Sequence, residues 1–585
     1  MNIAVVVFFW LRSLIFCVFL FFVFSCQPSS HKTLILAPQQ SITAAVSTLL
    51  PGDTLLLHGG IYRECVKLSC TGEKDVPIVI QAYPGEKVEL NGTREIRNWT
   101  KIKSNCYKAF CPQEVHQLFL KKKMLLPARW PNIDSMFDKK GWVEIFTGKD
   151  SAVFKGRIWP KNYWNGASCY ALTGEKWVVN MQSVQSCNDS VLKMNSKWFN
   201  HRSAYYTGSG KGYMMKHLNA LDTINEWHWQ NDTVYVMLAE APELLEGQVN
   251  EVVLSADSIS NVLVKNICVF AGRAEFNNCN AVILDHINIS FGTFPKPYLY
   301  SNGASAAAMR FAGTSAHCQI KNSTINGNWS SGIFMEGDAN EAYNCVVSNC
   351  NWLGNGSSAI ATEGKNHVIM NCDLFNSGKF LVEHGYTAHI KILYNHMYNG
   401  GYLANDLGLT YAYRTRGEGS EIAYNWMHGN WAENAGAGIY IDIDGHDFLI
   451  HHNVVWDCLS GIQTIMNAYG HQIYNNTVWN CAKAINYWGP YGSNMYNQKA
   501  YNNLSDKPFN AGNDLRNNLC VSDWPTLDNE NRNFTLRKGC AAIDFGGYVE
   551  GITNHYCGAQ PDAGAYEFGM PAWVPGYDST CVYAD

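Results

Sequence analysis

Carboxylates recur at one position of a short repeated segment in the middle of the chain. In each copy an acid follows a core-type residue by three positions, as in "GIYID", where Asp442 follows Ile439. The aligned acids of five consecutive copies are Glu336, Glu363, Glu383, Asp406 and Asp442. Side chains alternate along a strand, so we expect these acids to share the outward face of one sheet. Closely stacked acids raise one another's pKa, which can place a protonated general acid beside a carboxylate.

Other interpretations of this row remain open. A row of acids also forms an ordinary polar sheet surface, or a Ca²⁺ site that bridges neighbouring turns of the chain. The position of Asp406 depends on Leu403 as its core residue, and Leu409 is an alternative that moves Asp406 out of the row. Asp444 lies two residues beyond Asp442, so the choice between these two acids is open.

A second repeat, built around asparagine, indicates the elements that position the acids. The segments "VIMNCDL", "ILYNHMY", "IAYNWMH", "IHHNVVW" and "IYNNTVW" place Asn371, Asn395, Asn425, Asn453 and Asn476 between apolar residues. From Asn322 onward, successive copies of this Asn lie 22, 27, 24, 30, 28 and 23 residues apart. Such a period is typical of the coils of a parallel β-helix. We therefore expect an all-β fold in which stacked Asn side chains form a hydrogen-bonded ladder.

The remainder of the chain divides around this repeat. Residues 31–95 are expected to form an N-terminal cap, with a short amphipathic helix in "SITAAVSTLL", and the first coils. Residues 96–250 break the repeat and contain two hairpin-like segments, "HQLFLKKKMLLPARWPN" and "INEWHWQNDTVYVMLAE", which indicate an inserted β-rich, sandwich-like module. Residues 251–570 should form the β-helix that carries the cleft, followed by a C-terminal tail over residues 571–585.

Composition and the N-terminus restrict the class of protein. The chain has 585 residues, of which 47% are hydrophobic and 16% charged, with a formal net charge of -5 and no basic patch for nucleic acid. Residues 5–25 are almost wholly apolar and end in "VFSCQPSS". This pattern predicts a lipoprotein-type signal over residues 1–26, with Cys26 as the lipidated residue. An ordinary signal peptide or a signal anchor is the alternative.

The signal and the later sequence define the expected location and partners. We expect an exported lipoprotein at the surface or in the periplasm of a Gram-negative bacterium, attached to the membrane only by its lipid, and monomeric. Export permits disulfides, and the local candidates are Cys65/Cys70, Cys106/Cys111 and Cys540/Cys557. The cysteines lack the paired spacing of a zinc site, so we expect no cofactor apart from a possible structural Ca²⁺.

Motifs spread over most of the chain resemble those of a known group. "PGDTLLLHGGIYRE", "LLPARWPN", "EWHWQNDTVYV", "SEIAYNWMHGN", "GIYIDIDGHDFLIHHNVVW" and "PDAGAYEFG" are similar to segments of exported right-handed parallel β-helix proteins, in particular glycoside hydrolase family 141. The resemblance implies a right-handed β-helix and hydrolysis of fucosyl or xylosyl bonds in complex polysaccharides. It also implies two catalytic acids on neighbouring coils, which fall on Asp406 and Asp442. Arg414 and Arg416 depart from the family pattern, which has small or acidic residues there.

Further residues are candidates for catalysis or substrate binding. Glu363, Glu383 and Asp444 are secondary catalytic candidates. The predicted substrate-binding residues are His384, Arg414, Arg416, Tyr413, Tyr440 and Trp431. The two arginines suit a uronate or a sulfate, and they are equally compatible with solvated loops. Other aromatic residues that suit stacking on sugar rings are Tyr386, Tyr411, Tyr469 and Trp488, although each is also compatible with packing.

Three functions fit these residues. A glycoside hydrolase needs two carboxyl groups about 5 Å apart to retain configuration or roughly 6.5–9.5 Å apart to invert it, and strands about 4.8 Å apart allow both. A polysaccharide lyase that acts on uronates would use a basic residue, for which Lys365, His384, Arg414 and Arg416 are candidates. A glycan-binding protein without catalysis is the third. In each case the partner is a polysaccharide or an oligosaccharide.

Overall fold

The computed structural model of the chain describes residues 31–177, 179–195, 207–295, 306–489, 495–510 and 512–580. Its largest part is a helix of parallel strands, in which each coil contributes one strand to each of three long sheets. We call them sheets 1, 2 and 3, in the order in which a coil visits them. The coil of residues 333–350, for example, consists of Ile333–Asp338, Glu341–Tyr343 and Val346–Cys350. The prediction of an all-β parallel β-helix is confirmed, whereas Cys26 and the signal segment lie outside the described residues.

The strands of the β-helix have the following bounds. Sheet 1 contains Val66–Leu68, Val252–Asp257, Arg273–Asn277, Met309–Ala312, Ile333–Asp338, Ser358–Lys365, Phe380–Glu383, Thr387–Ala388, Leu407–Tyr413, Gly436–Asp442, Ser460–Ile465 and Lys483–Trp488. Sheet 2 contains Thr33–Leu36, Thr54–Leu57, Ile78–Ala82, Ser260–Lys265, Asn280–Asp285, Gln319–Lys321, Glu341–Tyr343, Val368–Met370, Lys391–Leu393, Arg416–Ala423, His446–His451, Gln472–Tyr474, Lys499–Tyr501 and Asp514–Arg516. Sheet 3 contains Gly60–Tyr62, Val88–Asn91, Ile267–Phe270, Asn288–Ser290, Thr324–Asn326, Val346–Cys350, Asp373–Ser377, His396–Gly400, Trp426–Asn430, Val454–Trp456, Thr477–Trp479, Leu504–Ser505 and Leu519–Cys520.

Rows of aliphatic side chains stacked from coil to coil fill the interior of the β-helix. In sheet 1, Ile333 pairs with Ile360, and Ile439 pairs with Ile462 and through it with Ile485. These side chains are almost fully buried in one continuous core. Burial of one such side chain contributes roughly 1.5–3 kcal/mol. Because the same position recurs in successive coils, these rows fix the register of the sheet.

A buried ladder of asparagines lies in the turn between sheets 2 and 3. Each amide donates to the next one along the axis at 2.9–3.1 Å, in the order Asn395, Asn425, Asn453, Asn476, Asn503 and Asn518. The predicted ladder is therefore confirmed for its four members from Asn395 to Asn476. Asn371 does not belong to the ladder, because Cys372 occupies the equivalent position and donates its backbone N–H to Asn395.

The first coils are covered by the helix Ile42–Val46, as the sequence predicted. Ser41 caps this helix, since its hydroxyl accepts a hydrogen bond from the N–H of Ala44 (3.2 Å). Ile42 and Val46 are buried in the same core as the first strands of sheet 2. The helix thus covers strand edges that would otherwise be open to another chain. A short 3₁₀ helix, Leu218–Ala220, lies elsewhere in the chain.

Between the early coils and the main β-helix the chain forms two largely antiparallel sheets, which we call the inserted module. One sheet contains Thr93–Ile96, Thr100–Lys103, Cys106–Phe110, Leu118–Leu120, Lys123–Pro127, Glu226–Gln230, Thr233–Met237 and Leu245–Gln248. The other contains Arg129–Trp130, Val143–Thr147, Ser151–Phe154, Ser168–Thr173, Asn180–Asn188, Val191–Met194 and Gly208–Met215. Both predicted hairpins are present, since Leu118–Leu120 pairs with Lys123–Pro127 and Glu226–Gln230 with Thr233–Met237.

After a last two-stranded sheet, Thr526–Asp528 with Asn533–Leu536, the chain returns along the outside of the β-helix. The N–H of Ala565 donates to Thr477 Oγ1 (2.9 Å), and the N–H of Asp578 donates to Asn344 Oδ1 (2.8 Å). Because Asn344 lies several coils before Thr477, residues 565–578 form a strap along the coils.

The structure also bears on the predicted disulfides and on membrane-spanning helices. The six cysteines of the predicted pairs Cys65/Cys70, Cys106/Cys111 and Cys540/Cys557 are all free thiols, so those disulfides are not formed. Among the residues that the structure describes, no helix is long and apolar enough to cross a membrane.

Candidate active site

The strand register of sheet 1 corrects the predicted alignment of the acids. Val382 pairs with Ile360 and with Thr410, so the core positions in these coils are Val382 and Thr410. The repeat in the sequence instead predicts Phe380 and Leu403 as the core residues, three positions before Glu383 and Asp406. Both residues are buried on the outside of the β-helix, Phe380 against its neighbours in sheet 1 and Leu403 beneath the inserted module. In the sequence they resemble core residues because both are buried, although on the outside of the β-helix and not in its interior.

The acids consequently occupy three positions instead of one. Glu336, Glu363 and Asp442 share the predicted row. Glu383 lies two positions earlier along its strand, and Asp406 lies in the loop that precedes its strand. The prediction of one row of five acids is therefore wrong.

Two tyrosines nevertheless bring Asp406 and Asp442 to the same place. Tyr411 donates its hydroxyl to Asp442 Oδ2 (2.6 Å), and Tyr440 donates its hydroxyl to Asp406 Oδ1 (3.2 Å). The two rings pack edge to face on adjacent strands, with centroids 5.4 Å apart. The backbone N–H of Ile443 donates to the other oxygen of Asp442 (2.7 Å). Tyr411, on the strand that follows Asp406, thus holds Asp442, and Tyr440, on the strand of Asp442, holds Asp406.

A buried lysine lies among the acids. Lys379 is 4% exposed, and its Nζ donates to the backbone carbonyl of Trp177 in the inserted module (2.6 Å). Burial lowers the pKa of Lys379 to about 8, while the charges of Asp406, Asp442 and Glu383 oppose that decrease. The site therefore combines carboxylates with one cation that is shielded from solvent.

The surroundings of the two aspartates differ in their effect on protonation. Burial and, after it, the charge of Asp406 raise the pKa of Asp442 to about 6, while the hydrogen bonds from Tyr411 and Ile443 oppose the rise. Burial also raises the pKa of Asp406, but there the charge of Lys379 and the hydrogen bond from Tyr440 oppose the rise. The cation acts more strongly on Asp406 than on Asp442. We infer that Asp406 ionises first and that Asp442 keeps its proton to higher pH.

Glu383 lies at the edge of this group. It pairs with Tyr411 across sheet 1 and accepts a hydrogen bond from the N–H of Gly385 (3.1 Å). Burial, with a smaller contribution from the charge of Glu363, raises the pKa of Glu383 to about 8, while the hydrogen bond from Gly385 opposes the rise. Glu383 therefore remains an alternative proton donor.

The inserted module forms one wall of the site. In addition to the bond from Lys379, the N–H of Asn405 donates to the carbonyl of Lys176 (3.0 Å). Tyr170 donates its hydroxyl to the carbonyl of Leu353 (2.5 Å) on an earlier coil. These contacts fasten the module to the loops that precede the strands of sheet 1. The loop that carries Asp406 is thereby tied to the inserted module.

Two other predicted acids lie outside this group of contacts. Asp444 lies in the turn after its strand, with φ +58, where Asn467 donates to Oδ1 (3.0 Å) and Arg414 Nε is 3.6 Å from Oδ2. Glu363 lies in the row of Asp442, two coils before the strand of Tyr411, and contributes to the site through its charge on Glu383.

The predicted substrate-binding residues are scattered. His384 is fully buried and packs against Phe448 inside the β-helix, where burial lowers its pKa to about 3, so the structure contradicts its assignment to the cleft. Tyr413 pairs directly with Asp442 and is half-buried. Arg416 is exposed at the start of its sheet 2 strand. Trp431 is 56% exposed and donates its indole N–H to Asn399 (3.1 Å), at the rim.

Sequence reasoning missed Lys379, Trp177 and Gln463. Lys379 precedes its strand directly, as a solvated lysine commonly does, and nothing nearby in the sequence indicates that it is buried. Gln463 pairs with Tyr440 across sheet 1 and so extends the polar surroundings of Asp406 by one coil. Within the described ranges, no group of three or more His, Cys, Asp or Glu side chains is arranged to hold a metal ion.

Comparisons with known proteins identify the fold. Residues 275–505 match the family model of the right handed beta helix region. A solved structure named "Glycoside hydrolase" superposes with a TM-score of 0.61 over 83% of this chain and 96% of the other, at 12% identity. The complex of XylC with xylose (TM-score 0.36, 13% identity, 82% and 76% coverage) and the pectate lyase Pel9A (0.38, 11%, 92% and 97%) are more distant. No curated protein matches the sequence significantly. The chain is therefore a right-handed parallel β-helix protein.

Proposed function

We propose that the protein is a glycoside hydrolase that cleaves a complex polysaccharide, with Asp406 and Asp442 as its catalytic carboxylates. One observation carries the proposal: two acids from neighbouring coils are each held by one of two tyrosines that pack against each other. A glycosidase needs one protonated and one ionised carboxyl group beside the scissile bond. The fold shared with a protein named as a glycoside hydrolase supports the same choice.

The roles of the two acids follow from their surroundings. Asp442 donates its proton to the glycosidic oxygen as the bond to the anomeric carbon breaks, and the leaving sugar departs as an alcohol. Asp406 either attacks the anomeric carbon or takes a proton from the water molecule that attacks it. In the first case Asp442, now a carboxylate, takes a proton from the water that releases the glycosyl group from Asp406. Lys379 favours the ionised form of Asp406 in the resting enzyme.

The substrate and the location rest on the sequence. The family resemblance supports a fucosyl or xylosyl linkage, and the apolar N-terminal segment supports export with a lipid on Cys26. Under this proposal the protein acts outside the cytoplasm on polysaccharides of plant or algal origin.

The test is a screen of the purified protein on plant and algal polysaccharides, with analysis of released reducing ends. Asp406→Asn and Asp442→Asn should each lower kcat by about 10²–10⁴-fold, because each removes one acid–base or nucleophilic group. Asp444→Asn is the matched control, since it makes the same change in a turn two residues from Asp442. Thermal melting verifies that all variants fold. Full activity in both Asp406→Asn and Asp442→Asn would exclude the assignment.

A polysaccharide lyase is the second candidate, and Lys379 favours it. A lysine whose pKa lies near 8 can accept a proton, which elimination at a uronate requires. Against this role, its Nζ is buried and already donates to Trp177. Unsaturated products that absorb ultraviolet light would identify the lyase. Binding without any product would instead identify a non-catalytic glycan-binding protein.

A further inference from the structure

The two ends of the site differ in what borders them. The contacts that join the inserted module to the β-helix, at Leu353, Lys379 and Asn405, all lie on coils before the strand of Asp442. On that side the row of Asp442 continues with Tyr413 on the adjacent coil and reaches the acids Glu363 and Glu336 only on earlier coils.

On the other side, the same row continues with uncharged residues. Asp442 is followed on the next coil by Ile465, and Ile465 pairs with Trp488 on the coil after. Strands lie about 4.8 Å apart, so Trp488 is roughly 10 Å from Asp442 along the axis. Ile465 is 4% exposed, whereas Trp488 is 52% exposed. A large aromatic ring thus stands in the open, in register with the proposed general acid.

The adjacent row adds uncharged polar groups. Tyr440 is followed by Gln463 and Asn486, which pair across sheet 1. Asn486 donates its amide to Gln463 Oε1 (3.0 Å), and Ser460 donates its hydroxyl to the same oxygen (3.2 Å). Both amides are buried, so they give the surface beside Trp488 no formal charge. An exposed indole ring in uncharged surroundings suits the apolar face of a neutral sugar.

From this arrangement we infer that the substrate chain lies along the β-helix axis and extends from the acids over the C-terminal coils, where Trp488 binds a neutral sugar residue beyond the scissile bond. This inference rests on the proposed glycosidase function and adds to it the direction of the chain and a binding position. The acidic row on the opposite side disfavours an anionic sugar there.

The test uses the full protein and Trp488→Ala. Arabinoxylan, fucosylated xyloglucan and fucoidan are the polymeric probes, and 4-nitrophenyl xyloside and fucoside are the small ones. The ratio of kcat/KM for a cleaved polymer to that for an aryl glycoside should fall on the order of tenfold, mainly through KM for the polymer, because the small substrates do not reach Trp488. Phe146→Ala, an equally exposed aromatic side chain on the inserted module, is the matched control and should leave the ratio unchanged.

Binding measured separately, by retardation in gels that contain each polymer, distinguishes the two proposals. If the wild-type protein cleaves a polymer and Trp488→Ala keeps the wild-type ratio, the inference is wrong while the glycosidase proposal stands. An equal loss on polymer and aryl glycoside also contradicts it, since Trp488 would then act through the fold. If the gels retard the wild-type protein, Trp488→Ala weakens this retardation and the wild type hydrolyses no probe, the result supports the binding position at Trp488. The same result excludes the glycosidase proposal. If the wild-type protein neither binds nor hydrolyses any of the probes, both proposals are wrong.

Discussion

At the scale of single residues, Tyr411 connects the strand of Glu383 with Asp442. Its hydroxyl donates to Asp442 Oδ2 at 2.6 Å, a bond that lowers the pKa of Asp442 against the effect of burial. In Tyr411→Phe this opposition is lost, so the pKa of Asp442 should rise. The alkaline limb of the kcat/KM profile should then move to higher pH, with an activity about tenfold lower at the optimum.

The control for that change is Tyr398→Phe, which alters a half-buried tyrosine of sheet 3 that stacks on Phe375. It should leave both the rate and the pH profile unchanged. A rate loss in Tyr411→Phe without movement of the alkaline limb would separate Tyr411 from the proton on Asp442.

Under the proposed function, the pH profile of the wild-type protein distinguishes the two candidate proton donors, Asp442 and Glu383. A general acid must carry its proton, so activity falls as the pH rises through its pKa. With Asp442 as the donor, we expect kcat/KM to decrease above about pH 6, and with Glu383 as the donor above about pH 8. Glu383→Gln should leave the limb near pH 6 in place. A limb near pH 8 that disappears in Glu383→Gln would assign the role to Glu383.

Part of the arrangement of this site could be predicted from the sequence. The family resemblance implied that Asp406 and Asp442 lie on neighbouring coils, because a similar motif surrounds each of them, and their catalytic role stays a prediction. Lys379 could not, because a lysine before a strand gives no sign that a segment 200 residues earlier will cover it. His384 was misassigned for the opposite reason: it follows an acid, yet the alternation of the strand turns its ring into the core.

At the scale of elements, the Asn ladder holds successive coils in register. Asn453 donates to Asn476 and to the carbonyls of Ile422 and His451, and its own oxygen accepts from Asn425. Asn453→Leu leaves these buried partners unsatisfied, which should lower the free energy of unfolding by about 3 kcal/mol. The measurement is the midpoint of chemical unfolding.

The control for the ladder is Asn531→Leu, at an exposed position whose amide donates to the side chain of Asp528 (2.6 Å). Its midpoint should stay near that of the wild type. Equal midpoints for the two variants would show that the ladder contributes nothing beyond a surface hydrogen bond.

The elements themselves were predictable where the chain repeats. The register of Ile439, Ile462 and Ile485 could be predicted because these strands bury their apolar side chains mainly in the interior of the β-helix. The prediction failed where two apolar surfaces compete, as at Leu403, which the inserted module buries. A pattern of hydrophobic residues records that a side chain is buried, but not which neighbour buries it.

At the scale of the whole molecule, the strap of residues 565–578 ties distant coils together. Trp573 lies on its path, stacked on Tyr566 with ring centroids 4.5 Å apart and edge-on to Tyr424 at 5.5 Å. Trp573→Ala should lower the free energy of unfolding by about 2 kcal/mol, since a half-buried aromatic contact is removed. Catalytic rates should not change, because Tyr424 lies on the turn after sheet 2 rather than on sheet 1.

Val574→Ala, an adjacent and 73% exposed position, is the matched control in thermal melting. A decrease in melting temperature as large as that of Trp573→Ala would show that the strap, and not the aromatic contact, is what the substitution disturbs.

The way in which consecutive coils share the site also limits how such a protein can diversify. Lys379, Asp406 and Asp442 belong to three successive coils, and strands of neighbouring coils are about 4.8 Å apart. Duplication of one repeat unit between Asp406 and Asp442 would move the two acids apart by one further strand spacing and abolish the pair. The loops 351–357 and 431–435, by contrast, carry neither of the two proposed catalytic acids and can lengthen or shorten without shifting a strand. Lineages that acquire new substrates should therefore gain or lose repeat units only outside this stretch, and vary within it through its loops.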